Sequence, residues 1–169
     1  MRLTAVEIEP QLVELLRERF RSSLGVDIVE GDATGLEFPD ERFSGAASFT
    51  MLHHVPTPEL QDRLFAEVAR VLRPGGVFAV GDSPATPERE VAHVGDTYIP
   101  VDPATVAPRL RNAGFARAEV GIGRRSRLPG QRSARANPDR VEYGFADSAI
   151  AGSAALAPRG ELGCTGERA

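Results

Sequence analysis

The chain has 169 residues, 41% of them apolar and 26% charged, with a net charge of −4. One globular domain with a tail fits those values, and the interleaving of acids and bases excludes the basic patch of a nucleic-acid binder. No apolar run nears the ~18 residues of a membrane span, no secretory pattern opens the chain, and the single cysteine, Cys164, makes neither an internal disulfide nor a cysteine-rich zinc site; a cytoplasmic protein without a membrane partner is expected.

Residues 3–8 (LTAVEI) form a β-rich run that ends in an acid. Glu9-Pro10 then opens a helical pattern whose apolar face is Leu12, Val13, Leu15, Leu16 and Phe20, and Gly25 ends it. Val26, Ile28 and Val29 make a second strand that stops at Gly31-Asp32. After a polar loop from Glu37 to Arg42, Ala46 to Leu52 is a third strand running into His53-His54. Thr57-Pro58 is a cap with a first-turn proline, and Leu60, Leu64, Phe65, Val68, Val71 and Leu72 recur at helical spacing until Pro74-Gly75-Gly76. Val77 to Val80 is a fourth strand, broken by Gly81-Asp82-Ser83-Pro84 into a loop that reaches about Pro100.

Asp102-Pro103 offers a cap for a helix through Ala113, closed by Gly114. A proline inside a helix costs about 3 kcal/mol, so Pro108 favours a regular helix that begins near Ala107 after a tight turn. Phe115 to Val120 is a final strand. From Gly121 onward no period persists beyond the brief Val141, Tyr143, Phe145 alternation, which divides the chain into a domain at 1–121 and a poorly ordered tail at 122–169.

Alternating strands and helices predict an α/β, mostly parallel sheet with flanking helices and right-handed crossovers. Ligands of such sheets sit at the carboxyl ends of the strands, here Glu7 with Ile8, Asp32 with Ala33, Thr50 to His54, and Asp82. An acid ending one strand can accept both hydroxyls of a ribose, and an acid after the next can accept an adenine amino group while the following amide donates to the ring. Glu7 and Asp32 stand at those two places; either alone reads sooner as a solvated turn acid, and it is their occurrence at consecutive strand ends that points to a ligand.

Four stretches in this order and spacing, VEIEP at 6–10, VEGDATGLEFPDERF at 29–43, SFTMLHHVP at 48–56 and RVLRPGG at 70–76, resemble a class I S-adenosylmethionine-dependent methyltransferase of the small-molecule, type 11-like kind. The resemblance extends from near Leu3 to about Val120 and implies a Rossmann-like fold, S-adenosyl-L-methionine as cofactor and a small-molecule methyl acceptor. It implies that Glu7 binds the ribose, that Ile8 lies against the adenine, and that Asp32 and Ala33 contact its edge. Phe49 and Thr50 match the strand end facing the methionine part, with His53 and His54 following toward the acceptor.

The family's first strand and its glycine-rich loop have no counterpart, because Met1 stands almost at the second strand. An N-terminally truncated sheet is therefore expected, its two central neighbours left with open edges that a partner strand suits. Glu119 to Gly123 (EVGIG) imitates a displaced glycine loop, but Arg124, Arg125 and Pro129 supply neither the third small residue nor a helix. Adjacent residues on a strand face opposite ways, so His53 and His54 are not expected to share an ion and no metal site is expected. His54 is the candidate catalytic base, and His93 with Asp96, Thr97 and Tyr98 a candidate lid. Against methyl transfer stand a non-enzymatic truncated relative acting through a partner, and a dinucleotide-dependent oxidoreductase, in which the GDAT and LHHVP stretches have no role.

Overall fold

The computed structural model describes residues 2–122, 144–145 and 153–155. Strand β1 (Leu3–Glu7) leads through Pro10 into helix α1 (Pro10–Phe20), and β2 (Val26–Glu30) returns parallel to β1, Leu3 opposite Val26 and Glu7 opposite Glu30. Together the strands form a separate two-stranded sheet. The apolar face expected on α1 is only partly used: Val13 is fully buried, but Leu12 and Leu15 are 46% and 62% exposed.

The third strand, β3 (Phe43–Phe49), starts and stops earlier than its apolar run suggests. Thr50 takes a left-handed φ of +52°, which ends the strand, and Leu52–His54 wind into a single 3-10 turn. Thr57 then caps α2 (Pro58–Val71), its Oγ1 accepting the Leu60 amide at 3.2 Å. The Glu59 carboxyl is held below the usual range by its own backbone amide and the capping threonine.

Leu64, Phe65, Val68 and Ala69 of α2 supply the centre of the core. They meet Phe78 and Val80 of β4 (Leu72–Asp82), Val106 and Leu110 of α4 (Pro103–Asn112), and Phe115. Burying each large apolar side chain is worth about 1.5–3 kcal/mol, so this cluster dominates the stability of the unit.

Strand β4 begins directly after α2, and Arg73–Gly76 form a bulge inside it rather than a turn before it. Phe43 faces Leu72 whereas Gly45 faces Val77, so the extra residues loop out of the ladder. Gly75 sits at φ +77°, and a Cβ on Gly76 would come within 2.8 Å of the Arg73 carbonyl.

The loop expected from Gly81 to Pro100 contains helix α3 (Pro87–Ala92), capped by Thr86. Helix α4 runs continuously through Pro108, contrary to the start expected near Ala107. The Asp102 side chain caps it at 2.9 Å from the Ala104 amide, Val106 and Leu110 are buried, and Arg109 pairs with Asp62 of α2 at 2.5 Å. These tertiary contacts outweigh the loss of one backbone hydrogen bond at an exposed proline.

The expected strand at Phe115–Val120 shrinks to β5 (Arg117–Ala118), while Phe115 turns inward and stacks on Phe78 with centroids 5.9 Å apart. Strands β6 (Gly121–Ile122), β7 (Gly144–Phe145) and β8 (Ser153–Ala155) complete a sheet of order β5-β8-β4-β7-β6, with β3 also on β4. Among the described residues all pairings are parallel except those of β8 with β4 and β5. From 123 onward only β7 and β8 are described; the rest of the expected tail lies outside the described residues.

The architecture is α/β and Rossmann-like. Among the described residues β1 pairs only with β2, and β3 only with β4, which leaves each with an open edge. None of the described helices is long and apolar enough to cross a membrane.

Candidate functional site

The carboxyl ends of the parallel strands carry two groups of polar side chains. At the end of β1, Glu7 Oε1 accepts the amides of Ile8 and Glu9 at 2.9 and 3.0 Å, which orients the carboxylate and leaves its second oxygen for a ligand. The Glu7 carbonyl accepts the Gly31 amide at 2.9 Å, so the loop after β2 is tied to the end of β1. In that loop Asp32 Oδ1 accepts the Thr34 amide at 2.7 Å, forming an Asx turn that presents Ala33 half-buried against the core. Ile8, next to Glu7, is 65% exposed, and Phe49 at the end of β3 is 54% exposed, so each of these strand ends carries a large apolar side chain without cover.

At the ends of β3 and β4 a second group forms. The Thr50 amide donates to the Gly81 carbonyl at 2.6 Å and its hydroxyl to the Phe49 carbonyl at 2.8 Å. A β-branched residue with positive φ is a costly conformation, and such strain concentrates at binding sites. Asp82, fully buried, accepts the His53 amide at 3.0 Å and the Ser83 amide at 2.7 Å, and its Oδ1 lies 2.5 Å from His53 Nδ1. Next to it, His54 Nδ1 lies 3.2 Å from Asp96 Oδ2, and His93 Nδ1 lies 2.6 Å from the Arg89 carbonyl.

The strand geometry assumed for His53 and His54 is corrected here. Because they lie on a 3-10 turn rather than an extended strand, their rings are not on opposite faces: the centroids are 4.2 Å apart. His93, at the C-cap of α3, closes the group with centroids 5.1 and 5.3 Å from the other two. Tyr98 stacks on His93 at 4.4 Å, and burial pushes its phenol above the ordinary value. The structure thus joins His53, His54, His93 and Asp96 in one cluster, and gives Asp82 the part of anchoring it. Glu7, Ile8, Asp32 and Ala33 lie at the β1 and β2 ends; Phe49, Thr50 and His54 belong to the β3 end. The tie between Asp82 and His53 was accessible in principle, since neighbouring parallel strands put their carboxyl ends side by side, as Phe49 and Gly81 are.

Residues 1–80 match the model of a family described as a methyltransferase domain. That match supports a likeness to the class I S-adenosylmethionine-dependent methyltransferases. A phthiotriol/phenolphthiotriol dimycocerosates methyltransferase of Mycobacterium tuberculosis is 37% identical over 89 residues, which cover 53% of this chain and 31% of that protein. A fatty-acid O-methyltransferase of Mycolicibacterium smegmatis is 35% identical over 80 residues, covering 47% of this chain and 28% of the relative. The chain therefore spans about a third of the length of these curated relatives. Among solved structures, PigF with SAH superposes with a TM-score of 0.60 at 19% identity, over 92% of this chain and 43% of PigF, a likeness of fold.

Proposed function

We propose that the chain serves S-adenosyl-L-methionine-dependent methyl transfer to a small-molecule acceptor, and that the acceptor is lipophilic. The observation that carries this reading is the oriented Glu7 carboxylate beside uncovered Ile8 at a parallel strand end, within the segment that matches the methyltransferase family. The residues fit the cofactor: the second Glu7 carboxylate oxygen would accept the ribose hydroxyls, Asp32 and the Ala33 amide would meet the adenine edge, and Ile8 is the apolar surface the ring would cover. Phe49 and Thr50 would line the methionine side. Bound there, the cofactor supplies an activated methyl on sulfur, and the protein's task is alignment and exclusion of water. An Asp96 carboxylate at Nδ1 keeps the proton of His54 on that nitrogen, leaving Nε2 to take a proton from the acceptor. The lipid names of the two relatives favour an apolar acceptor.

Thermal unfolding of the chain with and without S-adenosylhomocysteine tests this. Ligand at about 100 times its Kd adds about 2.7 kcal/mol to the folded state, a rise of several degrees. The shift is expected for the wild type and not for Glu7→Ala; a cooperative transition that ignores the ligand would overturn the reading.

A second reading rests on the open edges of β1 and β3. In it the chain is a non-catalytic relative that accepts a partner strand there, main-chain hydrogen bonds supplying affinity. It predicts a defined complex and no response to the cofactor product.

A further inference from the structure

The cluster at the ends of β3 and β4 has a pattern that neither proton transfer nor packing requires. Each of His53, His54 and His93 places a ring nitrogen within 4.8 Å of a ring nitrogen on both others. Each also has its Nδ1 beside an oxygen acceptor: Asp82 Oδ1 for His53 at 2.5 Å, Asp96 Oδ2 for His54 at 3.2 Å, and the Arg89 carbonyl for His93 at 2.6 Å. An acceptor at Nδ1 fixes the Nδ1–H tautomer, so the lone pair left on each ring is that of Nε2. Imidazoles oriented in this way, above all by carboxylates, are how proteins prepare histidines to ligate a metal.

The structure assigns to His53, His54 and His93 a divalent transition-metal site, with zinc the ion it suits best. Three neutral imidazoles favour zinc or its neighbours over magnesium or calcium, which require oxygen ligands. Around a tetrahedral zinc with Zn–N of about 2.0–2.1 Å, ligand nitrogens stand about 3.3 Å apart, so nitrogens within 4.8 Å of one another need to close by about 1.5 Å at most. The supports are suited to that adjustment. His53 is buried and held at both its amide and its ring by Asp82, whereas His54 and His93 are more exposed and lie at the ends of short helical turns. Three protein ligands leave a fourth position open, the arrangement of a site that binds an exchangeable oxygen.

One consequence rests on the methyl-transfer reading: His54 cannot act as a free base while it ligates. A hydroxyl acceptor at the open position would instead lose its proton to solvent more readily through coordination. The site itself does not depend on that reading, and its test involves no cofactor.

Cobalt(II) is the probe, because its visible absorption reports coordination number. The full chain, stripped with a chelator and dialysed, is expected to bind one cobalt per molecule with the intense visible bands of a four-coordinate ion, and to lose them on addition of zinc. His93→Ala and His54→Ala, both at incompletely buried side chains, are expected to abolish the bands while far-ultraviolet dichroism shows the fold intact. Asp96→Asn, on an exposed residue, is expected to weaken cobalt binding by about 10-fold through loss of the orienting carboxylate. A folded wild-type chain without those bands would overturn the assignment. So would bands retained in the two histidine variants, or a sulfur-to-cobalt charge-transfer band assigning the ion to Cys164.

Discussion

The Asp82 carboxylate holds His53 twice, Oδ2 accepting the backbone amide at 3.0 Å and Oδ1 approaching the ring Nδ1 at 2.5 Å, with both residues almost fully buried. One side chain thus fixes the path of the chain after β3 and the orientation of the ring it carries. Removing it strands the His53 and Ser83 amides and the imidazole N–H in the interior. Asp82→Ala is expected to cost about 3 kcal/mol, read as a lower urea midpoint at unchanged slope.

Gln61 does comparable work on the other side of the turn. Its side chain is buried, Nε2 donates to the Leu52 carbonyl at 3.0 Å and the Ile99 carbonyl at 2.9 Å, and Oε1 accepts from Arg109 at 3.1 Å. Gln61→Leu fills the volume but takes the Gln61 donor from the Ile99 carbonyl, while the Leu52 carbonyl keeps the Val55 amide and Arg109 keeps Asp62; it is expected to destabilise by about 2 kcal/mol. Amide exchange should rise first around Ile99, whose segment loses its tether to α2.

Arg70 ties α2 to the loop before β3, donating to the Leu36 and Phe38 carbonyls, each at 2.7 Å, and pairing with Asp40 and Glu67. The hydrogen bond from Arg70 is the main cause that holds the Glu67 carboxyl below 4.5, with burial opposing it. A carboxyl depressed in the folded state adds stability that is present above its unfolded value and lost as pH falls through the folded value. Wild-type stability is therefore expected to decline below about pH 4.5, and Glu67→Gln to flatten that decline. Equal acid slopes in both proteins would exclude Glu67 as a contributor.

Thr50 stores strain rather than stability. A left-handed conformation costs a non-glycine residue about 1–2 kcal/mol, whereas glycine adds about 0.5–1 kcal/mol of unfolded-state entropy. Thr50→Gly is expected to raise stability by about 0.5 kcal/mol while weakening S-adenosylhomocysteine binding. A loss of stability would mean that the hydroxyl bond to the Phe49 carbonyl outweighs the strain.

What was legible in the sequence and what was not divide along local and non-local physics. The strand ends at Glu7 and Asp32 and the capped start of α2 were readable because each is encoded by neighbouring residues. Thr86-Pro87-Glu88 repeats the Thr57-Pro58-Glu59 signal and did start α3, but without an apolar period behind it the cap alone was not enough to declare a helix. Pro108 misled because the contacts that override it, above all Arg109 with Asp62, join residues far apart in the chain. The histidine cluster was hidden for a different reason. One residue at positive φ converts the end of β3 from extended to turning, and no propensity marks a threonine as the place where that happens.

The unequal burial of the two sheets sets an order of opening. Within the β1–α1–β2 unit the only fully buried apolar side chain is Val13, whereas α2, β4 and α4 share a dense cluster. Amides of β1 and β2 should accordingly exchange through sub-global excursions well below the free energy of complete unfolding, leaving the β3–β4 half intact. A ligand that touched both Glu7 and Thr50 would have to suppress those excursions, and would be recognised in solution by slowed exchange along β1 as much as by any contact it makes.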